Sequence, residues 1–272
     1  MLDHLREMLG LGFMQRAFLG GAMIGATCAF LSVFVVLRRM AFVSQGVSHA
    51  AFGGVALAVL LGLDPTWGAA VFSVATAFGI GAVSRRRRVA EDSTIGIFLA
   101  VAMALGVIFL GLRKGSTANL FGYLFGSILS ILPSDLPWML GMTGLVFLLL
   151  VAFVKELYFY VFDEEMARVA GIPVDFLYFG LLVLLAVTIV VSIKLVGVIL
   201  VTALLVIPGA AARLVTSNIV ALIGISVGMG VLSVVIGLAG AYLLDVSPGA
   251  AIVLVLFIGF IASLLGTSRK NR

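Results

Sequence analysis

Charge is scarce in this sequence. Only 11% of its 272 residues are Asp, Glu, Lys or Arg, against about 25% in a typical soluble domain. A water-facing surface cannot be assembled from so few, which excludes an ordinary soluble globular protein. Cysteine is scarcer still. Cys28 stands alone, so no intrachain disulfide can form and thiol-pair redox chemistry is excluded. There is no G-x-x-x-x-G-K-[ST] segment to cradle ATP phosphates. There is also no H-E-x-x-H and no cysteine cluster, which excludes a zinc protease or a structural zinc site. No catalytic residue set emerges, and the chain is not expected to be an enzyme. The apolar runs lack the repeated acidic residues of a proton-driven pump. The net charge of +5 does not point to nucleic acid, because the basic residues flank apolar runs instead of forming a patch.

What the sequence does have is apolar residues, 63% of the total, and a mean hydropathy of +1.30. Its apolar runs are long enough to cross a hydrocarbon core about 30 Å thick as helices. Stretches such as Leu145–Phe153 and Ile252–Ile261 are continuously apolar. Barrel strands would instead alternate apolar and polar positions. The expected fold is all-α, a polytopic membrane helix bundle forming one domain over 1–272. About nine spans are expected, near 13–37, 41–62, 67–84, 94–112, 137–154, 176–193, 196–212, 218–243 and 250–266. The segment 119–132 is glycine-rich and short, which suits a re-entrant or interfacial piece. The first run is too long for a signal core and ends at Arg38-Arg39 without a small-residue cleavage pattern. Most of the 17 lysines and arginines fall on one side of this layout. That side is expected to be cytoplasmic, with the C-terminus inside and the N-terminus outside. Gly21-x-x-x-Gly25, Gly122-x-x-x-Gly126 and Gly224-x-x-x-Gly228 fit close helix–helix approach.

Three segments carry the chemistry. The first is "AFVSQGVSHAAFGGVALAVLLG", residues 41–62. His49 lies roughly 12 Å into that helix at 1.5 Å per residue. Gln45 is one turn earlier on the same face, with Ser44 and Ser48 beside it. A polar ionisable group at this depth is costly and marks a functional candidate. Neutral imidazole is a common ligand for zinc, iron and related ions. Two readings stand: a metal ligand on a pathway, or a histidine that only bonds a neighbouring helix.

The second is "KELYFYVFDEEMARVAGIPVDF", residues 155–176, on the basic side. Asp163, Glu164 and Glu165 precede a short helix, where the helix dipole favours acidic groups. Arg168 lies within it, and Gly171 and Pro173 end it. A cytosolic helix of this kind can serve as a lever for another protein or as a solvated connector. The third is residues 190–215, where Pro208-Gly209 should break or kink an apolar span, as a gate or as a packing kink.

These residues carry a resemblance. "FVVLRRMAFVSQGVSHAAFGGVALAVLLGLDP" (34–65) resembles the signature region of the ABC-3 family of metal-ion permeases. "FDEEMARVAGIPVDF" (162–176) looks like that family's coupling segment. "KLVGVILVTALLVIPGAAARL" (194–214) and "DVSPGAAIVL" (245–254) are similar to its later motifs, in the same order. The resemblance implies the permease subunit of a bacterial ABC importer in the cytoplasmic membrane, with a divalent metal ion as transported substrate and no permanently bound cofactor. It implies a second permease copy, two cytosolic ATPase subunits and an extracytoplasmic metal-binding protein as partners. It places His49 on the family's metal-coordinating histidine, and Asp163 to Gly171 on the ATPase-docking segment. Many members carry an aspartate where this sequence has Gln45, which keeps an oxygen donor but loses the charge. Imidazole in a charge-poor site favours zinc over manganese or iron. The rival readings are a permease for a larger metal chelate, such as a siderophore or cobalamin, and a secondary transporter or membrane scaffold.

Overall fold

The computed structural model describes residues 10–86, 89–113 and 133–270. The described residues form helices: α1 (Gly12–Leu37), α2 (Ala41–Leu61), α3 (Pro65–Arg85), α4 (Glu91–Leu112), α5 (Asp135–Ala152), α6 (Val154–Phe162), α7 (Glu164–Val169), α8 (Val174–Leu204), α9 (Ile207–Val215), α10 (Ile219–Leu244) and α11 (Pro248–Lys270). Eight of them contain a stretch long and apolar enough to cross a membrane. In lipid a helix satisfies its own backbone hydrogen bonds, so these runs need no polar partner to persist.

Side-chain chemistry sets where the helices start and stop. The Asp64 carboxylate accepts from the Thr66 backbone N–H at 2.8 Å, and Pro65 opens α3. Gly62 closes α2 in the left-handed conformation, at φ 70°. The Asn218 side chain accepts from Val220 and Ala221 and so caps α10. Asp245 ends α10 at φ 52°, a conformation aspartate tolerates better than most residues.

Burial ranks the helices. The apolar window of α1 is 72% buried, whereas that of α11 is 11% buried. Helices α1, α2 and the first part of α8 form the centre, and α4, α5, α10 and α11 face outward. Lipid tails are as apolar as leucine, so packing and small residues hold such a bundle together. A Cβ on Gly54 would stand 2.2 Å from the Gly68 carbonyl oxygen, which fixes glycine at the α2–α3 crossing. Gly21 and Gly25 meet Val234 and Gly230 of α10, the close approach expected of that motif. Gly224 and Gly228 do not: nothing lies within 4 Å of where a Cβ would be, so they make no close approach to another described helix. Gly122 and Gly126, and the expected re-entrant segment 119–132, lie outside the described residues.

One expected span is not a single helix. Within α8 the backbone leaves helical geometry at Gly197, with φ 76° and ψ 163°. It breaks again at Leu205–Val206 before α9 begins. The region expected as a span over 196–212 is therefore a broken apolar segment, with Leu200–Val215 its short second part. Pro208 sits in the first turn of α9, where a missing N–H costs nothing. The starts of α8 and α10 share one face: Tyr178 lies beside Gly81 near the end of α3, and Ile219 packs with Leu37. The broken segment thus carries the chain back to that face. The same face holds Arg38, Arg85 and Arg213, and Thr267 near the chain end donates to the Leu214 carbonyl there.

Candidate functional site

Helix α2 sorts its residues by face. Val43, Ser44, Gly46, Val47, Ser48, Ala50 and Ala51 are buried, against α3, α4 and α8. Phe42 and Gln45 are exposed and His49 is half-buried, so these three share the open side. Spacings of three and four residues put them on one stripe. The packed side of α2 is lined by small and apolar residues, with only hydroxyl groups such as Ser44, Ser48 and Ser73 turned inward. Neither Gln45 nor His49 has a hydrogen-bond partner among the described residues, and the described residues contain no group of three or more His, Cys, Asp or Glu that could hold a metal. A single chain therefore presents two donors, an amide oxygen and an imidazole nitrogen, on an open face. Ser44 and Ser48 lie on the buried side instead. Ser44 Oγ donates to the Ala41 carbonyl at 2.6 Å, and Ser48 Oγ is buried without a partner.

The acidic segment on the basic face behaves differently. Asp163 caps α7, its carboxylate accepting from the Met166 N–H at 2.9 Å. Gly171, at φ 81°, ends the turn that follows. Glu165 is exposed. Glu164 turns back into the protein. Its Oε2 accepts from Arg38 Nη2 at 2.8 Å, and its Oε1 lies 3.4 Å from Arg85 Nη2 and 3.8 Å from Arg168 Nη2. Asp175, in the first turn of α8, pairs with Arg85 and lies 3.6 Å from Arg168. The guanidinium of Arg38 stacks over Tyr160 at 4.3 Å, and that of Arg85 over Tyr178 at 4.6 Å. Tyr160 is fully buried with an unpartnered hydroxyl, and burial pushes its phenol up to about 12 against the opposing pull of Arg38. Arg38, Arg85, Glu164 and Tyr178 line a polar cavity of about 460 Å³.

Apolar side chains also reach the outer surface of this segment, beside the exposed Asp163, Glu165 and Arg168. Phe162, Met166 and Val169 are exposed, Val169 by 82%. Sequence reasoning missed them, along with Arg38, Arg85, Asp175 and the two tyrosines. Arg38 and Arg85 read there as topology signals, and nothing in their local pattern links them to residue 164. The apolar triplet Phe162, Met166 and Val169 had a signal available, since apolar residues recur at helical spacing in an otherwise polar interval.

Pro208 and Gly209 sit in neither place. A Cβ on Gly209 would meet the Ser32 carbonyl oxygen at 2.6 Å. Beside this contact, Ser32 Oγ and Ser226 Oγ both donate to the Ala29 carbonyl, at 2.8 and 2.6 Å. The pair therefore lies in a tight junction of α9, α1 and α10.

Comparison with known proteins agrees with this architecture. The chain is 35% identical to the manganese transport system membrane protein MntC of Halalkalibacterium halodurans, over 92% of this chain and 85% of that one. It is 33% identical to the chelated iron transport system membrane protein YfeD of Yersinia pestis, over 96% and 88%. The solved structure of PsaBC from Streptococcus pneumoniae in complex with Fab superposes with a TM-score of 0.86 at 33% identity, covering 96% of this chain and 94% of that one. The model of the ABC 3 transport family matches residues 11–267. The helix order, the broken segment after α8 and the short helix α7 lie within that match, and the chain belongs to the ABC 3 transport family, as a membrane-spanning transport subunit whose ATPase is a separate protein.

Proposed function

We propose that this chain is a single permease unit that passes a divalent metal ion into the cytoplasm, with Gln45 and His49 as its ligands. The observation that carries the reading is their common open face on α2, without partners among the described residues, in a helix whose opposite side is buried by its neighbours. Two donors are too few for a transition metal that takes four ligands. A second copy facing the first would supply another Gln45 and His49 and complete a four-donor, neutral site. Such a site holds an ion loosely enough to release it, as passage requires. Phe162, Met166 and Val169 supply an apolar docking face for the ATPase, with Asp163, Glu165, Arg168 and Gly171 shaping α7. The metal reaches the opposite face from an extracytoplasmic binding protein.

The donor chemistry supports zinc, because a neutral imidazole–amide set does not suit hard manganese. Manganese is the second reading, favoured by the name of the MntC relative. Uptake by vesicles holding the permease, its ATPase and its binding protein tests both. Zinc in excess should suppress uptake of labelled manganese, and manganese should not suppress uptake of zinc. The reverse order would assign manganese, and ATP-independent uptake would overturn the reading.

A further inference from the structure

We propose that Glu164 is a positioning residue that ties α7 to the start of α2, so that movement of α7 reaches the helix carrying Gln45 and His49. The inference rests on the reading of α7 as the ATPase-docking helix. Glu164 was expected to contact the ATPase, but its carboxylate points the other way. One oxygen holds Arg38 at 2.8 Å, and Arg38 stands three residues before the first residue of α2. The other oxygen lies 3.4 Å from Arg85, the last residue of α3. Arg85 continues to Asp175 at the start of α8. One carboxylate therefore links α7 to the ends of α1 and α3 and, through Arg85, to α8.

The arginines are held on both sides. Arg38 lies over Tyr160, which is fully buried in α6, and Arg85 lies over Tyr178. The Arg38 and Arg85 side chains are only 23% and 24% exposed, so salt screens their pairs less than it would on an open surface. The cavity of about 460 Å³ beside them, walled also by Ser84 and Glu91, leaves the guanidinium groups room to shift without parting from the carboxylate. Met166 and Val169 stay exposed for the partner, and the Glu164 carboxylate is committed to the permease. Force applied at Met166 and Val169 would pass through Glu164 to Arg38 and into α2.

The experiment uses vesicles holding the whole complex, with three readouts: ATPase subunit bound, ATP hydrolysed, and metal ions moved per ATP. Glu164→Gln should bind the ATPase as the parent does and hydrolyse ATP within about twofold. Ions moved per ATP should fall about tenfold, within the range of site-to-site coupling. Glu164→Asp, which keeps the charge on a shorter arm, should recover part of that ratio. An unchanged ratio in Glu164→Gln would overturn the latch. Loss of ATPase binding in Glu164→Gln would also overturn it, by making Glu164 a docking residue. If Glu164→Gln is not recovered from the membrane, Arg38→Lys makes the same test, because it keeps charge and loses the fork that reaches both Glu164 and Tyr160. Absence of uptake by the parent complex would instead overturn the transport reading, and the latch with it.

Discussion

The open face of α2 and the charged node around α7 treat polar groups in opposite ways. At Gln45 and His49 two polar side chains lie within an apolar helix and are paired with nothing among the described residues. Around Glu164, acid, base and aromatic groups are almost all committed to one another. An unpaired polar group in a membrane is costly, and it persists where an outside partner completes it. A saturated cluster has little left to offer a ligand. It fixes the relative positions of the helices that meet there. One region is built to receive and the other to hold.

The contrast can be broken most severely at His49. Replacing it by alanine removes a ligand and should cut uptake by at least about tenfold, since even groups supporting a ligand cost that much. The thermal stability should stay near that of the parent, because the side chain has no partner to lose. A large fall in melting temperature with uptake preserved would return His49 to a packing role.

The next effect falls on the outer side of α7. Val169→Asp puts a charge on the most exposed apolar residue of the docking face. It should weaken ATPase association about tenfold, as loss of a central interface anchor does. Pull-down of the ATPase by the variant measures this. Undiminished binding would move the docking surface elsewhere.

Gln45→Asp tests the neutrality of the open face. It brings a negative charge one helical turn from His49 and should tighten divalent-ion binding about tenfold. Uptake should slow as the ion leaves less readily. Equilibrium binding and initial uptake rates, taken together, separate the two effects. Faster uptake with tighter binding would show that capture, not release, limits the parent.

The smallest effect is expected at Asp163. Its alanine variant loses the cap on α7 and should cost about 1 kcal/mol locally. Faster amide exchange at Met166 is the readout, with the α2 pair untouched. Equal protection in both proteins would assign the turn to the Glu164 pairs alone.

Much of the architecture was legible in the sequence. Apolar run length set the helices, and the acidic run of Asp163, Glu164 and Glu165 marked the start of α7, whereas the caps at Asp64 and Asn218 emerged only in the structure. The expected break near Pro208 appears, but the chain gives way just ahead of it and again at Gly197. Local composition there reads as one continuous apolar run, so hydropathy counted a span where the backbone makes two pieces. That Gln45 and His49 share a face followed from helical spacing, but which way that face points did not. That depended on α3, α4 and α8 covering the opposite side.

The sequence by itself determined the solvent. Too little charge for water and runs long enough for lipid oblige this chain to be a helical membrane protein, because only a helix satisfies its backbone within one apolar segment. It also placed most of the basic residues on one face. Only the tertiary structure decided what those residues do. Arg38 meets Glu164 across 126 positions of chain, and no local periodicity encodes such a pairing. It arises because packing of α1, α3, α6 and α8 brings the helix ends together, and charges at that confined edge find each other instead of water.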